Sequence, residues 1–255
     1  MELWNKEQIW SLLPALAGML LLSFVLRKVL EDRPEKVRRI PLQIIAVLLL
    51  LLEVGKQGVS IWRGYDLYHL PFHFCSLFLL TVPVMAFYNG KHKVAVEGVT
   101  TSLCASLFLL MLVYPALIYS GTDVVRYFDD YMSFHTVTFH NLVMLAFLLI
   151  LALRLYTPSA KGELKPTLWF TVVFCVVSAS MAHLLRTNFA NYYQCNIAPL
   201  EAVRVSLQGV LGTVVTQLLY VAIVSVLNIL FVMMSYWVSR TLLRLLTPKR
   251  EKEKV

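Results

Sequence analysis

The run Tyr68-His69-Leu70-Pro71-Phe72-His73-Phe74-Cys75 places two imidazoles and a thiol at the head of an apolar stretch long enough to enter a bilayer. Ionisable groups in hydrocarbon are costly without a partner and are functional candidates by default. A cysteine becomes a nucleophile when a base stands beside it, so Cys75 with His73 or His140 has the makings of acyl transfer. His69 and His73, four residues apart, would share a helical face. With His140 and His183 they exceed the three ligands of a catalytic zinc. Lys56, His69 and Arg186 suit the phosphate of a lipid headgroup, and Glu53 and Lys56 are spaced to pair on one face of a helix.

Each group has a plainer reading beside the chemical one. Glu53 and Lys56 can simply neutralise each other, and His69 can sit wet at headgroup level. Arg186, three residues after His183, can snorkel to the interface. Cys75 can be a small buried apolar residue. His73 and His140 lie deeper and are harder to explain away.

These groups need elements to hold them, and composition says which kind. Of the 255 residues 58% are hydrophobic and only 15% charged, against roughly half and a quarter in soluble domains. Several apolar runs near the bilayer-crossing length predict an all-helical polytopic membrane protein. The net charge of +8 does not point to nucleic acid, because the cations fall between the apolar runs. Cys75, Cys104, Cys175 and Cys195 show neither metal nor disulfide spacing. The start of the chain lacks a basic segment and a small-residue cleavage site, so the first apolar run is expected to be retained. No cofactor is expected, and no metal ligand set is assigned.

Seven crossings fit best: about Ile9 to Arg27, Ile40 to Trp62, Tyr68 to Tyr88, Val94 to Tyr119, Phe134 to Tyr156, Thr167 to Arg186, and a last one from near Val205. The last run is too long for one straight crossing. It is expected to leave the hydrocarbon near residues 235–237 and continue as a basic amphipathic tail, giving a membrane domain over 1–237 and a cytoplasmic tail over 238–255. Most of the 23 Lys and Arg residues fall in alternate gaps and at the C-terminus. Lys6, Lys56, Arg63, Arg126, Arg186 and Arg204 remain for the other side. The bias predicts an outside N-terminus and a cytoplasmic C-terminus. The gap Asn188 to Arg204 is long enough to fold back over the bundle, and the gap Ser120 to Ser133 is acidic.

That orientation puts Glu53, Lys56 and Gln57, then His69, His73 and Cys75, then His135, His140 and Asn141, and finally His183 and Arg186 in the outer halves of their spans. The inner halves look bland, Glu97 excepted. The simplest account is one polar chamber open to the outer face, where imidazoles from three crossings meet. The small residues Gly98, Ser102, Ala105 and Ser106 on the fourth span favour close helix contact.

Leu70-Pro71-Phe72-His73-Phe74-Cys75 resembles the Leu-Pro-x-His-x-Cys signature of the YwaF-like integral membrane proteins, a seven-span bacterial family. Glu53-Val54-Gly55-Lys56 resembles the family's preceding Glu-x-x-Lys, and Tyr114-Pro115 its proline at the end of span four. His140 takes the place of a histidine early in span five, and Asn191-Tyr192 with Pro199 resembles a late Asn-Tyr and proline. The resemblance spans about Glu53 to Pro199. The family has an animal branch that includes a glycerophospholipid acyltransferase using a span-three cysteine and a span-five histidine. In that branch the cysteine directly follows the proline, where this chain has Phe72; Cys75 comes three residues later, and Phe139 replaces a glutamine. The resemblance implies a multi-pass protein of a bacterial plasma membrane.

The resulting expectation is a phospholipid acyltransferase or transacylase with His73, Cys75 and His140 as catalytic residues. Glu53, Lys56, His69, His183, Arg186 and Asn191 would hold a phospholipid or lysophospholipid. A transporter or small-molecule binder without chemistry and a metal-dependent lipid hydrolase stand as alternatives.

Overall fold

The computed structural model describes residues 4–159 and 162–246. The chain is helical, with no strand among the described residues. Ten α-helices follow one another among the described residues: α1 (Lys6–Leu30), α2 (Glu35–Arg38), α3 (Ile40–Trp62), α4 (Phe78–Phe87), α5 (Lys93–Val113), α6 (Gly121–Val125), α7 (Tyr131–Ala152), α8 (Leu164–Leu184), α9 (Ala198–Leu211) and α10 (Thr213–Leu246). Six of the described helical segments are long and apolar enough to cross a membrane. They contain α1, α3, α5, α7, α8 and α10, with α2 and α3 forming one segment.

Helix α5 is the hub, packed against α4, α7, α8 and α10. Gly98, Ser102, Ala105 and Ser106 are all buried on it. A Cβ on Gly98 would stand 2.5 Å from Cβ of Glu163, so the missing side chain lets the segment before α8 close on the hub. The Ser102 and Ser106 hydroxyls donate to the carbonyls of Gly98 and Ser102, at 2.7 and 2.9 Å, which satisfies them without an outside partner. Leu103, Leu107 and Met111 of α5 join Leu42 and Leu49 of α3, Phe78 and Met85 of α4 and Met144 and Phe147 of α7 in the main core. Leucines and valines of α1 and α10 face outward instead, as lipid-facing surfaces of a membrane helix do.

Long-range polar contacts sort the helix ends into two layers. At one end Gln8 donates to the Tyr119 carbonyl at 2.5 Å, Arg63 meets Asp130 at 2.8 Å, and Gln217 donates to the Tyr192 carbonyl at 3.1 Å. At the other end buried Arg39 pairs with Glu97 and donates to the Met85 carbonyl at 2.7 Å, while Arg38 donates to the Leu153 carbonyl at 2.8 Å. There too Arg240 pairs with Glu163 at 3.5 Å and donates to the Ser159 carbonyl at 2.7 Å. Two carboxylates and two guanidiniums are thus buried in an end expected to be bland. Each pair joins residues far apart in sequence, so spacing does not reveal it.

Three expected elements differ. The third crossing is not one helix over Tyr68 to Tyr88: α4 has ten residues, about 15 Å at 1.5 Å per residue, half a hydrocarbon core. The fourth ends at Val113, because Tyr114 leaves helical geometry (φ −146°, ψ 67°) before Pro115, as residues preceding proline tend to. The last does not begin near Val205. That position lies in α9, none of whose residues is buried, and Gly212 at φ +79° separates α9 from α10. Helix α10 then runs unbroken through 237. Arg240, expected in a surface tail, is 5% exposed, because its charge is matched by Glu163. The remainder of the expected tail, 247–255, lies outside the described residues.

Candidate active site

Pro71 shapes the site. It pushes Leu70 into extended geometry (φ −62°, ψ 147°) and has no N–H to continue a helix. A 3₁₀ turn over Leu67–His69 precedes it, His73 is extended, and a second 3₁₀ turn over Phe74–Leu77 leads into α4. Non-helical backbone at this depth is tolerated where it lines a cavity or is buried in protein. Here Ser178 of α8 donates to the Phe72 carbonyl at 2.5 Å, and the Phe74 ring meets Phe78 and Phe174 edge-on.

The break directs the side chains. Cys75 Sγ lies 3.0 Å from His140 Nε2 on α7. His140 Nδ1 lies 2.6 Å from the Thr136 carbonyl. A carbonyl oxygen only accepts, so Nδ1 carries the proton, and the lone pair on Nε2 faces the thiol. A thiol donating to an oriented imidazole is the arrangement that activates a cysteine nucleophile.

A cavity of about 350 Å³ opens on this pair. Glu53, Lys56, His69, His73, Cys75, His140 and Asn191 all line it. The Glu53 carboxylate accepts from Lys56 at 2.8 Å and Gln57 at 2.6 Å. His69 Nδ1 lies 2.6 Å from the Ser60 hydroxyl, and His73 Nε2 donates to the Tyr68 carbonyl at 2.9 Å. His69 and His73 are neighbours in the wall, but not through i,i+4 spacing, since no helix joins them.

The wall is completed by the gap after α8, which folds back over the bundle. Phe189 and Tyr192 are fully buried anchors. Between them Ala190 (φ 48°) and Asn191 (φ 64°) take left-handed conformations, uncommon for residues with a side chain. Tyr220 holds the turn by donating to the Asn191 carbonyl at 2.5 Å. The Asn191 Oδ1 atom is buried without a hydrogen-bond partner.

His183 and Arg186 do not line the cavity. His183 faces α10, where its Nε2 lies 3.3 Å from Gln217, and Arg186 turns the chain away from α8 at φ 52°. Imidazoles of two crossings therefore meet, not three. Ser76, Asn188, Asn196 and Asn228 also line the cavity without an expected role there, and His135, expected in the outer chamber, lines it without an expected chemical role. A histidine and an asparagine inside apolar helices were the available signals for His135 and Asn228. Among the described residues no three or more His, Cys, Asp or Glu side chains are grouped to hold a metal ion.

Outside the spans, Asp130 caps α7 through the Ser133 amide at 3.1 Å. Burial alone would raise its carboxyl, but hydrogen bonds from Arg63 and the Ser133 amide hold it below the usual aspartate value.

Compared with known protein families, residues 3–202 match the TMEM164 family. The chain belongs to that family. The matched region contains Cys75, His140 and every lining residue except Asn228 and Phe231. No curated protein matches the chain, and neither does any solved structure. TMEM164 is a transmembrane-protein family, which agrees with the six apolar helices. The chain is a multi-pass membrane protein.

Proposed function

We propose that this TMEM164 family member is a phospholipid transacylase that carries an acyl group on Cys75. The observation that supports it is the 3.0 Å contact between Cys75 Sγ and an Nε2 atom whose tautomer is set from the far side of the ring. His140 takes the thiol proton as sulfur attacks the ester carbonyl. The ester C–O bond breaks, a thioester forms, and the lysolipid oxygen leaves as an alkoxide that is protonated in the cavity. The hydroxyl of a second lysolipid then attacks the thioester, giving up a proton that replaces the one taken by the alkoxide; the C–S bond breaks, and His140 returns its proton to sulfur. Lys56, His69 and His73 supply polar contacts for the headgroup, and Phe74, Leu79, Leu110 and Phe231 an apolar wall for the acyl chain.

The finer resemblance to YwaF-like proteins fits this reading, with seven crossings, the seventh made of the broken 68–77 segment and α4. The cations of the ion-pair end support a cytoplasmic location for it in this reading, by the positive-inside rule. The cavity then opens to the outer leaflet of a bacterial plasma membrane. Transport without chemistry is less well supported: no residue of the ion-pair end lines the cavity. A metal-dependent hydrolase would need imidazole nitrogens that Cys75, Ser60 and the Tyr68 carbonyl already engage.

The test is acyl transfer from a labelled phospholipid to a lysophospholipid by the purified protein in vesicles. Transfer should be lost in Cys75→Ala and His140→Ala, and the label should be trapped on wild-type protein as a hydroxylamine-sensitive adduct. Unchanged turnover in Cys75→Ala would rule out the thiol route.

A further inference from the structure

The cavity holds a second imidazole that the thiol does not use. His135, one and a half turns before His140 on α7, lines the same cavity and is 7% exposed. Its Nε2 faces Glu53 Oε2 at 3.5 Å and has no hydrogen-bond partner. Phe139 stacks against the ring at 5.4 Å. Lys56 and Gln57 fix the carboxylate, and Gln57 also donates to the His69 carbonyl at 2.9 Å. The cavity thus contains one imidazole oriented on a thiol and another backed by a carboxylate. A distance of 3.5 Å is long for a hydrogen bond, but catalytic contacts in unliganded sites commonly tighten when substrate binds.

A transacylation has two separate protons to handle, one on sulfur and one on the lipid oxygen. We propose that His135, supported by Glu53, is a second catalytic histidine that serves the lipid oxygen, while His140 serves only the thiol. This deepens the transacylase reading and rests on it. In the first half-reaction His140 Nε2 takes the Cys75 proton, the ester C–O bond breaks, and His135, protonated and paired with Glu53, gives its proton to the leaving alkoxide. In the second, the acceptor hydroxyl loses its proton to the now neutral His135 as its oxygen bonds to the thioester carbon. The C–S bond breaks, and His140 returns its proton to sulfur. Both imidazoles end as they began.

The experiment compares two acyl donors on the full-length protein in vesicles. One is a phospholipid; the other is a p-nitrophenyl ester of the same acyl chain, whose leaving group departs without a proton. The nitrophenolate burst counts acylatable thiols, so phospholipid turnover is expressed per competent site. The expected result for His135→Gln is a loss in the rate of Cys75 acylation by phospholipid about 10²-fold or more beyond its loss in the nitrophenolate burst rate, in line with one general acid–base group. Glu53→Gln should show the same asymmetry, smaller, and it decides the question if His135→Gln yields no competent thiol. His140→Ala should lose both donors alike. Equal losses on the two donors in His135→Gln, or in Glu53→Gln where that variant decides, overturn the second-histidine role and leave the thiol reading standing. A wild type without a Cys75-dependent burst overturns both.

Discussion

Cys75 Sγ and His140 Nε2, 65 residues apart in sequence, stand 3.0 Å from each other across the cavity. The backbone break at Pro71 makes this possible. On a continuous helix Cys75 would lie on the face next to that of Phe72; in the 3₁₀ turn after an extended His73 it meets α7.

If thiol and imidazole act as a unit, their losses are not additive. Cys75→Ala, His140→Ala and the double variant should each reduce phospholipid transfer by a similar factor, about 10³-fold or more. The double variant should be no worse than the poorer single. Rates measured per folded protein check this, and multiplying losses would show that the two residues act separately.

Asp130 links the end of α3 to the start of α7, the helix that carries His135 and His140. It caps α7 and pairs with Arg63 at 2.8 Å. Asp130→Ala should cost about 0.5–2 kcal/mol. Because the folded-state carboxyl is lowered, its stabilisation is complete above the ordinary aspartate value, about pH 4. It is lost as pH falls through the lowered folded value. Thermal unfolding in detergent micelles across pH should show the gap between wild type and variant closing only at the acid end.

Glu163 and Arg240 are both nearly excluded from solvent, and Tyr156 also donates to Glu163. Removing one partner strands the other, so Glu163→Ala alone should destabilise by about 3–5 kcal/mol. Replacing the pair together, Glu163→Leu with Arg240→Met, should cost less than either single change. Unfolding in mixed micelles measures the difference, and a double variant that costs the sum of the two single changes would mean that the charges do not see each other.

Much of the scaffold was legible because hydrophobic runs report bilayer length directly. α1, α3, α7 and α8 lie within a few residues of the expected spans, α5 begins where expected, and its small residues marked the tightly packed hub. The third span misled because it has the length of a bilayer crossing, while Pro71 breaks the helix in its first half. The last misled because α9 and α10 form one apolar run divided only by Gly212.

The sequence by itself determined that the chain is helical, membrane-embedded and supplied with a thiol and imidazoles at comparable depth. It could do so because hydropathy and residue type are local properties. Which of those groups meet is a property of helix rotation and loop path. Only the tertiary structure paired Cys75 with His140 and Glu53 with His135, turned His183 away toward α10, and matched Arg39 with Glu97 and Arg240 with Glu163. Those choices follow from packing around α5 and from the cost of leaving a buried charge unmatched, and no spacing along the chain encodes them.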